Sequence, residues 1–453
     1  MTDLLGVRGT PVLRLLSGVG SARSHQRPVR DEPSGRAAHG SRRESRSERA
    51  AAAEVGTTRT RTTDLALVGR RDAARLGALT AAITGFGLVI VLSASSVVSI
   101  ATYGSPWALF ERQVMWTLLG AVAFLVCSRG DLRRLRKLAA PLLILTVLLL
   151  VVVLTPHIGR TAGGSSRWIG AGPIRLQPSE LAKLAFALFA ADLVARREQA
   201  RDHVQVVVRP VVTVLGFIAL LILKQPDMGT AIVLVSIGAA ILYAGGTERR
   251  VLGVTFGGLL FVGSLLILSA PYRRSRFLSF INPFAHASTS GYQVVQSLEA
   301  LGSGHLFGTG LGGSVAKWGF LPNAQTDFIF AVIGNELGLI GALAVLLAFV
   351  GLGILGLRIA ARAADRFTSL LATGLTCWLV CEALINIGGV IGILPETGIP
   401  LPFLSFGGSS LVVTLGAVGL LVNIGRNPTL RTARPAPAAP APRPRPRPAA
   451  ARR

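Results

Sequence analysis

Between residues 77 and 426 the chain alternates long apolar runs with short polar connections. The runs are too long and too evenly apolar for amphipathic strands or for the one-sided helices of a water-soluble core. Ten can be drawn, at 77–100, 112–128, 137–155, 178–195, 209–224, 228–245, 250–270, 328–357, 367–391 and 410–425. About 20 apolar residues cross the hydrocarbon of a bilayer as a helix. The pattern therefore predicts an all-α integral membrane protein of ten transmembrane helices, with one long extracytoplasmic loop, 271–327, between spans 7 and 8. Composition agrees, since 51% of residues are hydrophobic and 15% are charged. Residues 1–76 mix arginine with small and acidic residues without periodicity, and 427–453 is dense in proline and arginine. Both are expected to be disordered basic tails flanking a membrane domain at 77–426. The first of them has no apolar centre of the kind that marks a cleavable signal peptide.

Charge orients this pattern. The segments SRGDLRRLRK (128–137), RREQARD (196–202), TERR (247–250) and RIAARAADR (358–366) fall on one side of the ten-span arrangement, together with both tails. Arginine and lysine concentrate in cytoplasmic loops, so this side, with both termini, is expected to face the cytoplasm across the plasma membrane of the cell. The formal charge of +25 then suits an anionic membrane surface and calls for no nucleic acid. Cys127, Cys377 and Cys381 lie in or at the ends of spans, which predicts neither a disulfide framework nor a metal site.

Two connections on the opposite side break the charge rule. The 156–177 loop contains Arg160, Arg167 and Arg175, and the long loop opens on YRRSRF (272–277). Positive charge that topology does not require asks for an anionic partner, and guanidinium groups grip phosphate oxygens bidentately. The residues alone leave lipid phosphates and a pyrophosphate equally open. Ionisable residues inside apolar spans are costly and usually face a partner or a cavity. Glu180 and Lys183 stand three apart behind Pro178, placed to pair on a helix start. Asp227 opens a span, where a capping role alone would explain an aspartate. Glu336, and Glu382 with Asn386, lie deeper and suggest a polar groove between helices.

Five segments in order, SSRWIG, QPSELAKLA, QPDMGTA, GYQVVQSLEALGSGHLFGTGLGGSVAKWGFLPNAQTDFIFAVIGNELGL and LINIGGVIGILPETGIPLPFLSFGGSS, resemble the SEDS family of shape, elongation, division and sporulation proteins, FtsW, RodA and SpoVE. The resemblance covers residues 77–426. The arginine-rich tails and AKWGFLPNA are similar to actinobacterial members, more FtsW-like than RodA-like. The resemblance implies ten spans and a peptidoglycan glycosyltransferase that polymerises lipid II into glycan strands for cell division or cell shape. It also implies a class B penicillin-binding protein as partner, among other membrane proteins of the divisome or elongasome. On this reading Arg160, Arg167 and Arg175 meet substrate anions, and Lys183, Asp227, Lys317 and Asp327 line the substrate path.

Such a reaction needs a base to take a sugar hydroxyl proton and cations to hold the departing diphosphate. The family's loop reads N-P-x-x-D-P-x-G-x-G-Y-Q, and its aspartate is the proposed catalytic group. Here NPFAHASTSGYQ aligns without gaps and places His286 at that position. Gln325 stands where the family commonly has histidine, and Asn335 where it commonly has glutamate. Two readings follow. His286 is the base, because an imidazole with a reference pKa of about 6.5 accepts a proton near neutrality. Alternatively, the chain is a degenerate member that binds lipid II or a penicillin-binding protein as a scaffold. A transporter of lipid-linked precursors is a third reading, but inverted repeats and paired broken helices are not evident. The first is the expectation. No cofactor is certain; a divalent cation is compatible, although an aspartate-to-histidine change alters any oxygen-rich magnesium site.

Overall fold

The computed structural model describes residues 38–155, 160–162, 165–171, 174–200, 202–268, 274, 279–289, 291–314 and 316–427. Side chains in 38–66, 160–166, 171, 174, 266–268 and 316 fall outside that description. The chain forms two units, Met1–Arg59 and Thr60–Arg453, and the account below concerns the second. Each of the ten apolar stretches is occupied by a helix. These are α1 (Ala38–Tyr103), α2 (Ala108–Arg129), α3 (Leu132–Leu154), α4 (Pro178–Arg196), α5 (Arg209–Lys224), α6 (Met228–Ala244), α7 (Arg249–Leu268), α9 (Ile329–Ala361), α10 (Arg366–Val390) and α11 (Gly408–Arg426). A further helix, α8 (Tyr292–Ser303), lies within the long loop. Among the described residues seven of the ten are long and apolar enough, by length and composition, to cross a membrane, α5 only together with the π-helical turn Val204–Val208 that precedes it. Of the other three, α4 carries Glu180, Lys183 and Asp192, and α6 has only 17 residues.

Two features go beyond the expected all-helical pattern. The 156–177 loop contains a small antiparallel sheet, β1 (Arg160–Ala162), β2 (Ser165–Ala171) and β3 (Ile174–Leu176), with Arg160 opposite Trp168 and Gly170 opposite Arg175. The first membrane helix is also packed before residue 77, since Asp72, Ala73 and Leu76 are buried.

The central helices are α11, whose most apolar stretch is 89% buried, and α10. Their surroundings bury the apolar face that a single helix cannot cover alone. Helices α2, α3 and α9 instead turn Leu118, Val122, Val126, Leu145, Leu148 and Leu347 outward. A contiguous apolar exterior of this kind drives aggregation in water and is the normal exterior in lipid. The most extensive helix pair is α2 with α11. There the backbones approach closely through small residues, and a Cβ at Gly419 would lie 2.5 Å from the Phe124 carbonyl oxygen. Asn423 closes the pair by donating to the carbonyls of Cys127 and Gly130, at 2.8 and 2.7 Å.

Polar bonds sort the connections into two ends. At the arginine-rich end, Arg136 pairs with Asp192 at 2.5 Å, Arg362 pairs with Asp72, and Arg366 donates to the Ala244 carbonyl at 2.7 Å. At the other end the 160–176 sheet, the 225–227 connection, the long loop and the 391–408 segment meet. Gln177 N–H donates to Ser409 Oγ at 3.1 Å, Phe406 N–H to the Gln325 carbonyl at 2.8 Å, and Ser297 Oγ to the Val390 carbonyl at 2.7 Å. This loop-bearing end is where the sequence placed its chemistry.

Candidate functional site on the loop-bearing end

Position 286 stands on a single 3-10 turn, Phe284–His286, held by its own backbone: Thr289 and Gly291 N–H both donate to the His286 carbonyl at 3.0 Å. The imidazole is exposed, and among the described residues no hydrogen bond reaches it. The chain reverses at Gly291, where a Cβ would press on the carbonyl oxygens of Pro283 and His286, and enters α8 at Tyr292. After α8 the chain folds flat against α9. Thr309 and Gly310 N–H donate to the Asn335 and Glu336 carbonyls, each at 3.0 Å.

The reason lies in α9 itself. At Gly338 the backbone takes φ 67° and ψ −165°, a region essentially confined to glycine. That break frees the N–H groups beyond it, and the loop supplies acceptors. Leu339 N–H donates to the His305 carbonyl at 2.9 Å and Ile340 N–H to the Leu306 carbonyl at 3.3 Å. Asn335 ties the same junction to α8, donating to the Ala300 carbonyl at 2.9 Å and to Ser303 Oγ at 2.7 Å. Glu336, fully buried, accepts from Ser93 Oγ at 2.5 Å and faces Lys317 Nζ at 3.8 Å. Lys317 in turn donates to the Gly312 carbonyl at 2.5 Å.

The other residues singled out from sequence separate into distinct groups. Lys183 is fully buried between Glu180 Oε1, 2.9 Å away, and both oxygens of Glu382, at 2.8 and 2.9 Å. Its ammonium lies 5.0 Å from the Trp378 ring centroid, and the Trp378 indole donates to Glu382. The expected Glu180–Lys183 pair is therefore part of an ionic cluster between α4 and α10, not a group at an open surface. Asp227 caps α6 as its position suggested, accepting from Thr230 N–H at 3.2 Å and Thr230 Oγ1 at 2.9 Å. Gln177 and Ser179 also donate to it, both at 3.4 Å, so Asp227 binds the starts of α4 and α6 together. Arg167 donates Nε to the Gln225 carbonyl at 3.0 Å and Nη2 to the Pro226 carbonyl. Arg175 is exposed on β3. Arg160 lies on β1, its side chain outside the described residues.

That contrast makes a prediction. Arg167→Ala removes two charge-assisted donors from backbone carbonyls and is expected to cost about 1.5–3 kcal/mol of stability, whereas Arg175→Ala is expected to stay within about 0.5 kcal/mol. Thermal unfolding of the two purified variants checks this. Equal losses would mean that protein groups hold Arg175 as well.

Among the described residues two cavities near this end bear on the chemistry. A small one, about 10 Å³, is lined by Asp327, Asn386, Glu396 and Gly398. Asn386 fixes its walls by donating to the Asp327 and Ile399 carbonyls at 2.8 and 2.7 Å. Glu396 was not singled out from sequence, because a lone acid in LPETG reads as a turn residue. The second cavity, about 580 Å³, is apolar and descends past the Gly338 break between Leu301, Leu306, Phe330, Leu339, Leu343 and Ile391. Among the described residues no three His, Cys, Asp or Glu side chains are grouped to hold a metal ion.

Residues 74–430 match the family model for the cell cycle proteins FtsW, RodA and SpoVE. The chain belongs to the FtsW/RodA/SpoVE family. A probable peptidoglycan glycosyltransferase FtsW of Mycobacterium tuberculosis is 42% identical over 378 residues, 83% of this chain and 72% of that one. The stage V sporulation protein E of Bacillus subtilis is 40% identical over 344 residues, covering 75% and 93%. Among solved structures, the rod shape determining protein RodA of Thermus thermophilus superposes with a TM-score of 0.58 at 28% identity, over 78% of this chain and 95% of that one. A chain of a peptidoglycan synthase complex, described as coordinating polymerization and crosslinking, superposes with a TM-score of 0.65 at 27% identity, covering 78% and 97%. This FtsW/RodA/SpoVE member is an integral membrane protein, mostly helical, with the architecture of its RodA relative.

Proposed function

We propose that the chain is a peptidoglycan glycosyltransferase that polymerises lipid II into glycan strands, with the loop-bearing end outside the cell and both termini in the cytoplasm. The observation that carries the reading is the pairing of two surfaces of opposite character on one end of the bundle. The loops present exposed Arg175 and the polar 280–293 turn, and beside them the 580 Å³ apolar cavity descends along α9 past its break. A cavity of this size and lining fits a ligand with an apolar body. A substrate with a diphosphate-linked sugar head and a polyprenyl tail matches both halves, with the head among the loops and the tail in the cavity. The ten helices then serve as ten spans. The cytoplasmic assignment rests on the arginines gathered at the opposite end.

A class B penicillin-binding protein is the partner this reading takes, by analogy with the synthase complex whose chain shares the fold. Crosslinking then follows polymerisation in one assembly, in division or in cell-shape synthesis. A second reading has one observation in its favour. The imidazole at position 286 is exposed and without a hydrogen-bond partner among the described residues, as in a chain that binds lipid II without polymerising it.

Purified full-length protein with lipid II, alone and with its cognate penicillin-binding protein, separates the two readings. Glycan strands resolved on a gel are expected. Tight lipid II binding with no strands in either condition would establish the scaffold instead.

A further inference from the structure

We propose that Glu396 supplies the carboxylate that takes the acceptor hydroxyl proton, the role for which position 286 offers only an imidazole. The inference rests on the glycosyltransferase reading and concerns which group acts as its base.

A general base must be held within hydrogen-bond reach of the proton it takes. His286 has nothing to fix its ring, since no donor or acceptor among the described residues sets its tautomer or direction. Glu396 is half-buried and held. In the amide orientation that satisfies both groups, Gln293 donates its nitrogen to both oxygens of Glu396, at 2.9 and 3.1 Å. Gln293 belongs to the first turn of α8, which begins directly after the 284–291 reversal. The carboxylate is therefore tied to the same loop that carries position 286.

The attachment is rigid on both sides. Ser297, one turn further along α8, donates to the Val390 carbonyl at 2.7 Å, so α8 is pinned to the turn that leads into the 391–399 segment. Asn386 clamps the far wall through the Asp327 and Ile399 carbonyls. Between them lies the cavity of about 10 Å³, room for roughly one water-sized group, such as a sugar hydroxyl. Its lining is rich in acceptors. Asp327 and Glu396 line it, each already engaged with a partner, while Asn386 is 4% exposed and its Oδ1 accepts no hydrogen bond among the described residues.

In the step, the O–H bond of the acceptor sugar breaks and its proton passes to Glu396. The oxygen forms the new bond to the anomeric carbon. The bond from that carbon to the diphosphate breaks, and its electron pair leaves with the polyprenyl diphosphate. Glu396 then releases the proton to water.

The test uses full-length protein with lipid II and the cognate penicillin-binding protein. Glu396→Gln keeps an oxygen for Gln293 but removes the basic lone pair. It is expected to lower polymerisation by a factor on the order of 10²–10⁴ while lipid II binding changes less than about threefold. Glu396→Asp is expected to retain measurable activity, and added formate to restore part of the activity of Glu396→Ala, which a purely structural role would not allow. The loss from His286→Ala is expected to be smaller by at least about tenfold, and wild-type activity is expected to persist where imidazoles become protonated. An active wild type whose Glu396→Gln variant keeps its rate, or whose rate falls across the imidazole range and vanishes in His286→Ala, overturns the assignment of the base but not of the reaction. A wild type that makes no strands overturns both.

Discussion

Replacing Lys183 by methionine is expected to destabilise the protein by about 3–5 kcal/mol, the cost of breaking a buried ion pair from one side. The ammonium is fully buried and lies within 2.9 Å of oxygens on both Glu180 and Glu382. Methionine fills much of the same volume, so the loss is electrostatic rather than a cavity effect: two carboxylates remain where water cannot reach them. Unfolding followed in detergent measures the effect. Adding Glu180→Gln and Glu382→Gln to Lys183→Met is expected to recover much of it, because the stranded charges are then gone. If Lys183 instead contacted substrate, the variant would stay stable and lose lipid II affinity. A loss below about 1 kcal/mol would show that the cluster is hydrated.

The second large effect is expected at the break in α9. Gly338→Ala places a Cβ against the Leu306 carbonyl in a backbone region that costs other residues about 1–3 kcal/mol even without a clash. The loop must withdraw, which gives up the bonds from Leu339 N–H to His305 and from Ile340 N–H to Leu306. The expected results are faster proteolysis within 302–314 and loss of polymerisation in a variant that still inserts. Gly302→Ala is the control, since its Cβ would meet nothing within 4 Å. Equal protease resistance in both variants would mean that the loop does not depend on the break.

The helices were legible in the sequence because the length of an apolar run is a local quantity that bilayer thickness reads directly. The sheet at 160–176 was not, because its strands are three to seven residues long, too short for alternation to show. The same limit governs the site. Glu180 and Lys183 pair at helical spacing, so that contact was readable, but Glu382 joins them from 199 residues away. The charge of Arg167 was visible, while its partners, the carbonyls of Gln225 and Pro226, carry no sequence signature. The cap role of Asp227 was readable from the start of an apolar run. Glu396 escaped notice because what distinguishes it is Gln293, and the two meet only through the packing of α8 on the 391–399 segment.

The partnership of α2 with α11 also bears on how the molecule is made. Asn423 reaches back 296 residues to Cys127, so the groove on α2 that receives Gly416 and Gly419 stays unfilled through most of translation. Helices between them can enter the bilayer one after another, but the bundle closes only when residues 408–426 have left the ribosome. Until then the α2 groove has no helix of this chain to fill it, and a chain that stops before residue 408 keeps that seam open.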